Sequence, residues 1–468
     1  MDLNLDWVND DNLKELVSRF QDAYLAGLQP FFDVDEFEAI IDFYLDSNMI
    51  EEATAATEIA MELHPSANGF IIRHARVLGN NKKYYEALEM LNNIELIEST
   101  NADVYISKAE IYSLMSKHEM AIAEYKRAIT YSEQKEELYS SIAFEYENLS
   151  DYDNAIKYLK FAVNLSPESE NLIHEISFFF EITGREEEAI EFFNDFVDSQ
   201  PYSKLAWFNL GVFYNTLELY EKAIEAYEFV LAIDETFSSA YFNIGNSYSG
   251  LTYFKKAIQY YKQTFDYEDE DALTHNYIAE SYENMKEFEN ALKHFKTSIR
   301  LDEKSNEAWS GLARLAIENN DDNQALKYYQ KALEVSPHSD DYKYQIGVIH
   351  LKNNDFEKAI VLFEEILEQD ELYIETWVNL SICYASQEDY EKAIEVMERA
   401  LKHSDDNATL WYRLAAYLYK SGKVQQAYYY IENAMKIDYA SHSELLEYLP
   451  ELLSESRFTD LIYTYKNS

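Results

Sequence analysis

Cysteine occurs once in this chain of 468 residues, as Cys383, which excludes an internal disulfide and fits a reducing compartment. Basic residues are few: 39 Lys and Arg stand against 87 Asp and Glu, a net charge of −48. That balance disfavours nucleic acid, which needs clustered cations on its phosphates. It disfavours anionic membrane surfaces for the same reason. No stretch approaches 18 apolar residues, so no membrane-spanning helix is expected. The opening Met1-Asp2-Leu3-Asn4-Leu5-Asp6 is acidic where a signal peptide is basic, so the expected location is the cytoplasm.

Catalytic signatures are missing too. None of the ten histidines stands four residues from another, and no HExxH occurs. One cysteine excludes the common thiolate zinc sites. There is no GxGxxG and no GxxxxGK[ST]. Carboxylate pairs abound, but a run such as Glu186-Glu187-Glu188 reads as a solvated helix start. Cys383 reads as a packed free thiol. The expectation is no enzyme, no metal and no cofactor.

What is present is a period. Alanine falls every 34 residues at Ala53, Ala87, Ala121, Ala155, Ala189, Ala223, Ala257, Ala291, Ala325, Ala359, Ala393 and Ala427. A period of this size marks a repeat array. Laid out from Val34, each unit carries alanine at position 20, a small residue at position 8 in eleven units, and a large residue at position 24 in eleven. Tyrosine fills position 11 in seven, and tryptophan fills position 4 in four: Trp207, Trp309, Trp377 and Trp411. Position 32 is proline in four: Pro65, Pro167, Pro201 and Pro337. Trp207, Leu210, Gly211 and Tyr214 mark one helical face, and Ala223, Tyr227 and Val230 mark a second. The polar stretch between them predicts a short loop, so each unit is a helical hairpin. Small residues at 8 and 20 predict close helix approach. Ala223→Leu is then expected to overpack by roughly 1–3 kcal/mol, and Trp207→Ala to open a cavity costing roughly 3–5 kcal/mol.

This pattern resembles the tetratricopeptide repeat. The unit from Lys204 carries Trp207, Leu210, Gly211, Tyr214, Ala223 and Tyr227 where that family places them. His275 and Lys343 at position 4, and His74 and Lys108 at position 7, depart from it. The resemblance implies an all-α fold: an α-solenoid, a right-handed superhelix of antiparallel hairpins. It also implies twelve units over residues 34–441. Residues 1–33 then form a capping helix and lead-in, and 442–468 a degenerate cap. Asp10 to Gly27 reads as one amphipathic helix with Leu13, Leu16, Val17, Phe20 and Tyr24 on its apolar side. It either caps the array or docks a partner.

By position, the resemblance implies a concave groove lined by first helices. Units from Val34 to Glu136 offer mixed charge there, including Asp35, Glu38, Asp42, Asp103, Glu110 and Glu147. Later units offer Phe208, Asn209, Val212 and Asn215, then Phe242, Asn243 and Asn246, then Asn276, Glu280 and Glu283. Asparagine presents donors and an acceptor to a peptide backbone, and aromatics give anchoring area at low entropy cost. These ten residues are the candidate peptide-binding set. The bland alternative is that the phenylalanines pack and the asparagines solvate. A family-type carboxylate clamp is rejected: Tyr344 and Val348 stand where it needs Lys and Asn.

Two functions follow. The leading one is a non-enzymatic scaffold binding a protein segment or peptide, with a basic one favoured by charge. The alternative is a self-associating or spacer element in a larger assembly. The acidic excess is either a solvated sheath or an attraction to basic partners. Self-repulsion at −48 predicts a melting temperature that rises with added NaCl.

Overall fold

The computed structural model describes residues 11–28 and 31–466. The acidic opening Met1–Asp6 and the last two residues lie outside them. The described residues are α-helical, with one 3-10 turn at Pro450–Ser454 and no strand. They fall into two compact units, Met1–Glu235 and Thr236–Ser468.

The first unit opens with the helix Asp11–Leu25. Its Leu16, Val17 and Phe20 are buried, and the Phe20 ring meets Phe37 and Tyr44 edge-on at 6.3 and 6.0 Å. Tyr24, placed by the amphipathic pattern on the apolar side, is half exposed. Hairpins follow, with first helices Val34–Asp46, Asn68–Asn80, Ala102–Leu114, Lys135–Asn148, Glu170–Thr183 and Lys204–Thr216. In the second unit the first helices are Ser238–Gly250, Ala272–Asn284, Asn306–Glu318, Asp340–Lys352, Ile374–Ser386 and Ala408–Lys420. The unit closes with Leu445, Leu449, Leu452 and Phe458 buried against Tyr412, Tyr428 and Ile431. The hydroxyls of Tyr419 and Tyr428 both donate to the Glu455 carboxylate, which ties the last helix, Ser456–Lys466, to the array.

Three devices build each hairpin. First, the periodic alanines are fully buried from Ala53 to Ala427, so the second helix carries no bulk where it meets the first. Second, the small residue at position 8 makes room for the large one at position 24. A Cβ on Gly211, Gly245 or Gly347 would stand 2.5–2.6 Å from the ring of Tyr227, Tyr261 or Phe363. The first hairpin inverts the pair, with Ile41 and Thr57 both fully buried, so volume is exchanged and not lost. Third, the turn closes the same way each time. In the hairpin from Lys204, Leu219 N–H donates to Tyr214 C=O at 2.8 Å across Glu218, whose φ is +58°. A left-handed residue recurs at 34-residue intervals from Asn48 to Gly422, and it is glycine only at Gly184 and Gly422.

The four position-4 tryptophans do a job that periodicity alone does not predict. Each indole N–H donates to a carbonyl six residues upstream: Trp207 to Pro201, Trp309 to Glu303, Trp377 to Glu371 and Trp411 to Asp405, at 2.7–3.0 Å. They therefore pin the loop that enters each hairpin. Trp207 is half-buried, stacked on Phe229 at 4.3 Å, whereas Trp377 is 1% exposed. The large cavity expected from truncation belongs to Trp377, not Trp207.

The polar residues at apolar positions are mostly compensated. Lys108 is buried and bonds Glu95. Lys343 is buried near Asp340 and Glu365 at 3.6 and 3.8 Å. His275 is buried with its Nδ1 2.9 Å from His294 Nδ1. His74 is the exception: its Nδ1 has no partner, and burial pushes its pKa down.

Candidate functional site

The ten candidate residues fall on both compact units. Phe208, Asn209, Val212 and Asn215 stand on Lys204–Thr216 in the first; the other six stand on Ser238–Gly250 and Ala272–Asn284 in the second.

In the first set, Phe208 is half-buried with its ring 5.6 Å from Tyr227. Asn215 Nδ2 donates to the Tyr227 hydroxyl at 3.4 Å. Val212 is half-buried. Asn209 is buried, and its Nδ2 has no partner.

The second set is more closely knit. Phe242 meets Tyr277 edge-on at 5.2 Å and lies 5.6 Å from Tyr261. The Tyr261 hydroxyl donates to Asn246 Oδ1 at 2.8 Å, so that amide is already engaged. Asn243 Nδ2 donates to its own helix at Ser239 C=O, 2.9 Å. Glu283 is held bidentately by Arg314 at 2.8 and 2.7 Å. The remaining pair is different. Asn276 is 4% exposed; its Nδ2 donates to Glu280 Oε1 at 3.2 Å, and its Oδ1 has no partner. Burial pushes the Glu280 carboxyl up, and Arg314 and the Asn276 amide pull it partly back. A buried acceptor without a donor costs free energy.

A second feature is not marked by any one column of the repeat. The first unit holds a recess of about 580 Å3 on its first helices. Ile111, Leu114 and Phe144 give it an apolar wall, and Arg76, Glu110, Glu145 and Glu175 give it charge. The sequence does carry a signal: Leu114 and Phe144 are apolar at first-helix positions that face the groove by register, in units whose other such positions include acidic residues.

Among the described residues, no three His, Cys, Asp or Glu side chains gather as a metal requires. Cys383 is fully buried, and burial pushes its thiol up to about 12, so it is no thiolate nucleophile. The His275 and His294 pair meets through Nδ1 atoms deep in one hairpin, with Glu270 on the far nitrogen of His275 at 3.3 Å. No helix among the described residues is long and apolar enough to cross a membrane.

Two family models, both described as tetratricopeptide repeat, match the chain. One covers 102–135, 136–169, 205–237 and 238–269; the other covers 284–344, 316–380, 350–412 and 384–440. Together they span more than half of the sequence. No curated protein matches it. Among solved structures, it is similar to the Cut9–Hcn1 hetero-tetramer of the APC/C at 13% identity and a TM-score of 0.42, over 87% of this chain and 97% of that one. A tetratricopeptide repeat protein from Parabacteroides merdae ATCC 43184 is similar at 17% identity and a TM-score of 0.43, over 53% and 99%. The MamA protein is similar at 24% identity and a TM-score of 0.32, over 36% and 92%.

Proposed function

Because the chain belongs to the tetratricopeptide-repeat family, whose members are generally non-catalytic interaction scaffolds, we propose that it binds a segment of another protein on the faces of its first helices. One observation carries this reading: the buried Asn276 with an unused Oδ1, beside the half-desolvated Glu280 and the Phe242–Tyr277 pair. The aromatic edge offers anchoring area, and the half-buried Glu280 carboxylate, oriented by the Asn276 amide, offers an acceptor to a peptide N–H or a cationic side chain. The net charge of −48 favours a basic segment and accelerates its encounter. In the first unit, Phe208 and Asn209 supply the corresponding aromatic and amide, with Val212 and Asn215 beside them in sequence. Asn243, Asn246 and Glu283 act mainly by holding the face in place.

The test is quantitative affinity purification from the source cell, followed by direct titration of the captured protein. Phe242→Ala combined with Asn276→Ala should weaken its binding at least tenfold, a loss of about 1.4 kcal/mol. Phe208→Ala with Asn209→Ala reports on the first-unit set in the same assay. Unchanged affinity in both double variants would sink the site. Mass that grows with concentration in light scattering, without a partner, would favour self-association instead.

A further inference from the structure

The recess in the first unit has a chemistry of its own. It is built on helices Asn68–Asn80, Ala102–Leu114, Lys135–Asn148 and Glu170–Thr183. Its volume, about 580 Å3, suits a long side chain with its flanking backbone. Leu114 is 49% and Phe144 52% exposed, so apolar surface stands open at its wall.

Its charges are unevenly satisfied. Arg76 is the cation at its edge, and it is already neutralised by Glu110 at 2.8 Å, Asp42 at 3.4 Å and Asp46 at 3.9 Å. The Glu145 carboxylate, almost fully buried, is bonded by His118 Nδ1 at 2.7 Å. Glu175 is half-buried, and no hydrogen bond or ion pair holds it among the described residues. Burial, and then the charge of Glu147, push its carboxyl pKa up. A carboxylate drawn out of water without a counter-ion is costly.

These facts select among occupants. An anionic ligand meets no unclaimed cation here. A purely apolar ligand gains from Leu114 and Phe144 but strips the remaining water from Glu175. An aliphatic stem that ends in a cation satisfies both surfaces, because such side chains bury the stem and keep the head at a polar edge. A cation beside the Phe144 ring gains further.

We propose that this recess receives one lysine or arginine side chain of a bound protein segment, its stem against Leu114 and Phe144 and its charged head at Glu175. This site is distinct from the Phe242–Asn276 face and rests on the scaffold reading only for the source of that side chain.

The test uses the full chain and a fluorescein-labelled hexapeptide of alternating leucine and arginine, read by fluorescence anisotropy near physiological salt. The control peptide replaces each arginine by citrulline, of similar shape and no charge. The arginine peptide should bind roughly tenfold more tightly than the citrulline peptide, and Glu175→Gln and Phe144→Ala should each weaken it by about tenfold. Both side chains are unpartnered or half exposed, so the fold should persist, which circular dichroism checks. Glu368→Gln removes an exposed carboxylate from the second unit and should leave affinity unchanged. Equal binding of the two peptides, equal losses at Glu368 and Glu175, or no loss from Glu175→Gln and Phe144→Ala would each overturn the assignment. In a Phe242→Ala, Asn276→Ala background the losses from Glu175→Gln and Phe144→Ala should persist, so failure of the recess and failure of the second-unit face are read separately.

Discussion

The ring of Tyr227 occupies the space that a side chain on Gly211 would need: a Cβ there would stand 2.5 Å from the tyrosine Cε1. Helices Lys204–Thr216 and Tyr220–Ile233 approach as closely as they do because one of them has no side chain at the crossing. Gly211→Ala should therefore destabilise the protein by roughly 1–3 kcal/mol through overpacking, although alanine is the better helix former by about 0.5–1 kcal/mol. Thermal unfolding of the single variant checks this. A pairing of Gly211→Ala with Tyr227→Leu should recover part of the loss, because the two changes share one contact.

The four position-4 tryptophans look alike in sequence but differ in burial. Trp377→Ala should cost roughly 3–5 kcal/mol, since the side chain is enclosed and a cavity would remain. Trp207→Ala should cost clearly less, because water already reaches its face and mainly the stack on Phe229 and the bond to Pro201 are lost. Denaturant titration of the two variants side by side ranks them; equal losses would contradict the burial difference.

The histidine pair gives stability a pH dependence with a definite sign. Two Nδ1 atoms at 2.9 Å hold one proton between them, so a second proton must break the contact. Burial first, and then the nearby His275, Lys262 and Lys293, pull His294 down to about 4, with Glu270 opposing. An unfolded histidine titrates near ~6.5. Between these values the unfolded chain binds the extra proton, so this contribution is complete above about pH 6.5 and is lost as pH falls toward 4. His294→Phe should flatten that part of the stability profile. A profile with the same slope in both proteins would remove the pair from the account.

Cys383 should be chemically silent in the folded protein. Its thiol is fully buried and displaced to about 12, so neither access nor thiolate is available at neutral pH. Alkylation by iodoacetamide should track the unfolded fraction across a denaturant series. Rapid labelling of the native protein would show an opening that these contacts do not contain.

The architecture was unusually legible, and the reason is physical. Each hairpin repeats the same close approach, so the same columns are forced to be small or large. First helices begin at Val34, Asn68, Ala102, Glu170 and Lys204, the residues that open the alanine-phased units, and the fourth begins at Lys135, one residue early. The candidate site was less legible. Asn246 and Asn215 sit at positions that the groove register marks as open, yet each is bonded to the large residue at position 24 of its own hairpin, Tyr261 or Tyr227. That contact joins two columns, and reading one column at a time hides it. Glu283 likewise pairs with Arg314, which stands 31 residues on in the next hairpin and in another column. The recess escaped because its informative residues, Leu114, Phe144 and Glu175, come from three successive hairpins. The division after Glu235 has no periodic marker at all.

The left-handed turns carry one more consequence. Ten of them hold a residue with a Cβ, at Asn48, Lys82, Ser116, Ser150, Glu218, Thr252, Lys286, Asn320, Asn354 and Glu388. For most side chains that conformation costs on the order of 1 kcal/mol, with asparagine the mildest case. Each turn is a place where a change to glycine would relieve strain without altering either helix face. In a chain whose stability is close to a sum over neighbouring repeats, such relief accumulates locally. Each such turn is thus a point at which local stability can be adjusted while the helix faces on either side of it stay the same.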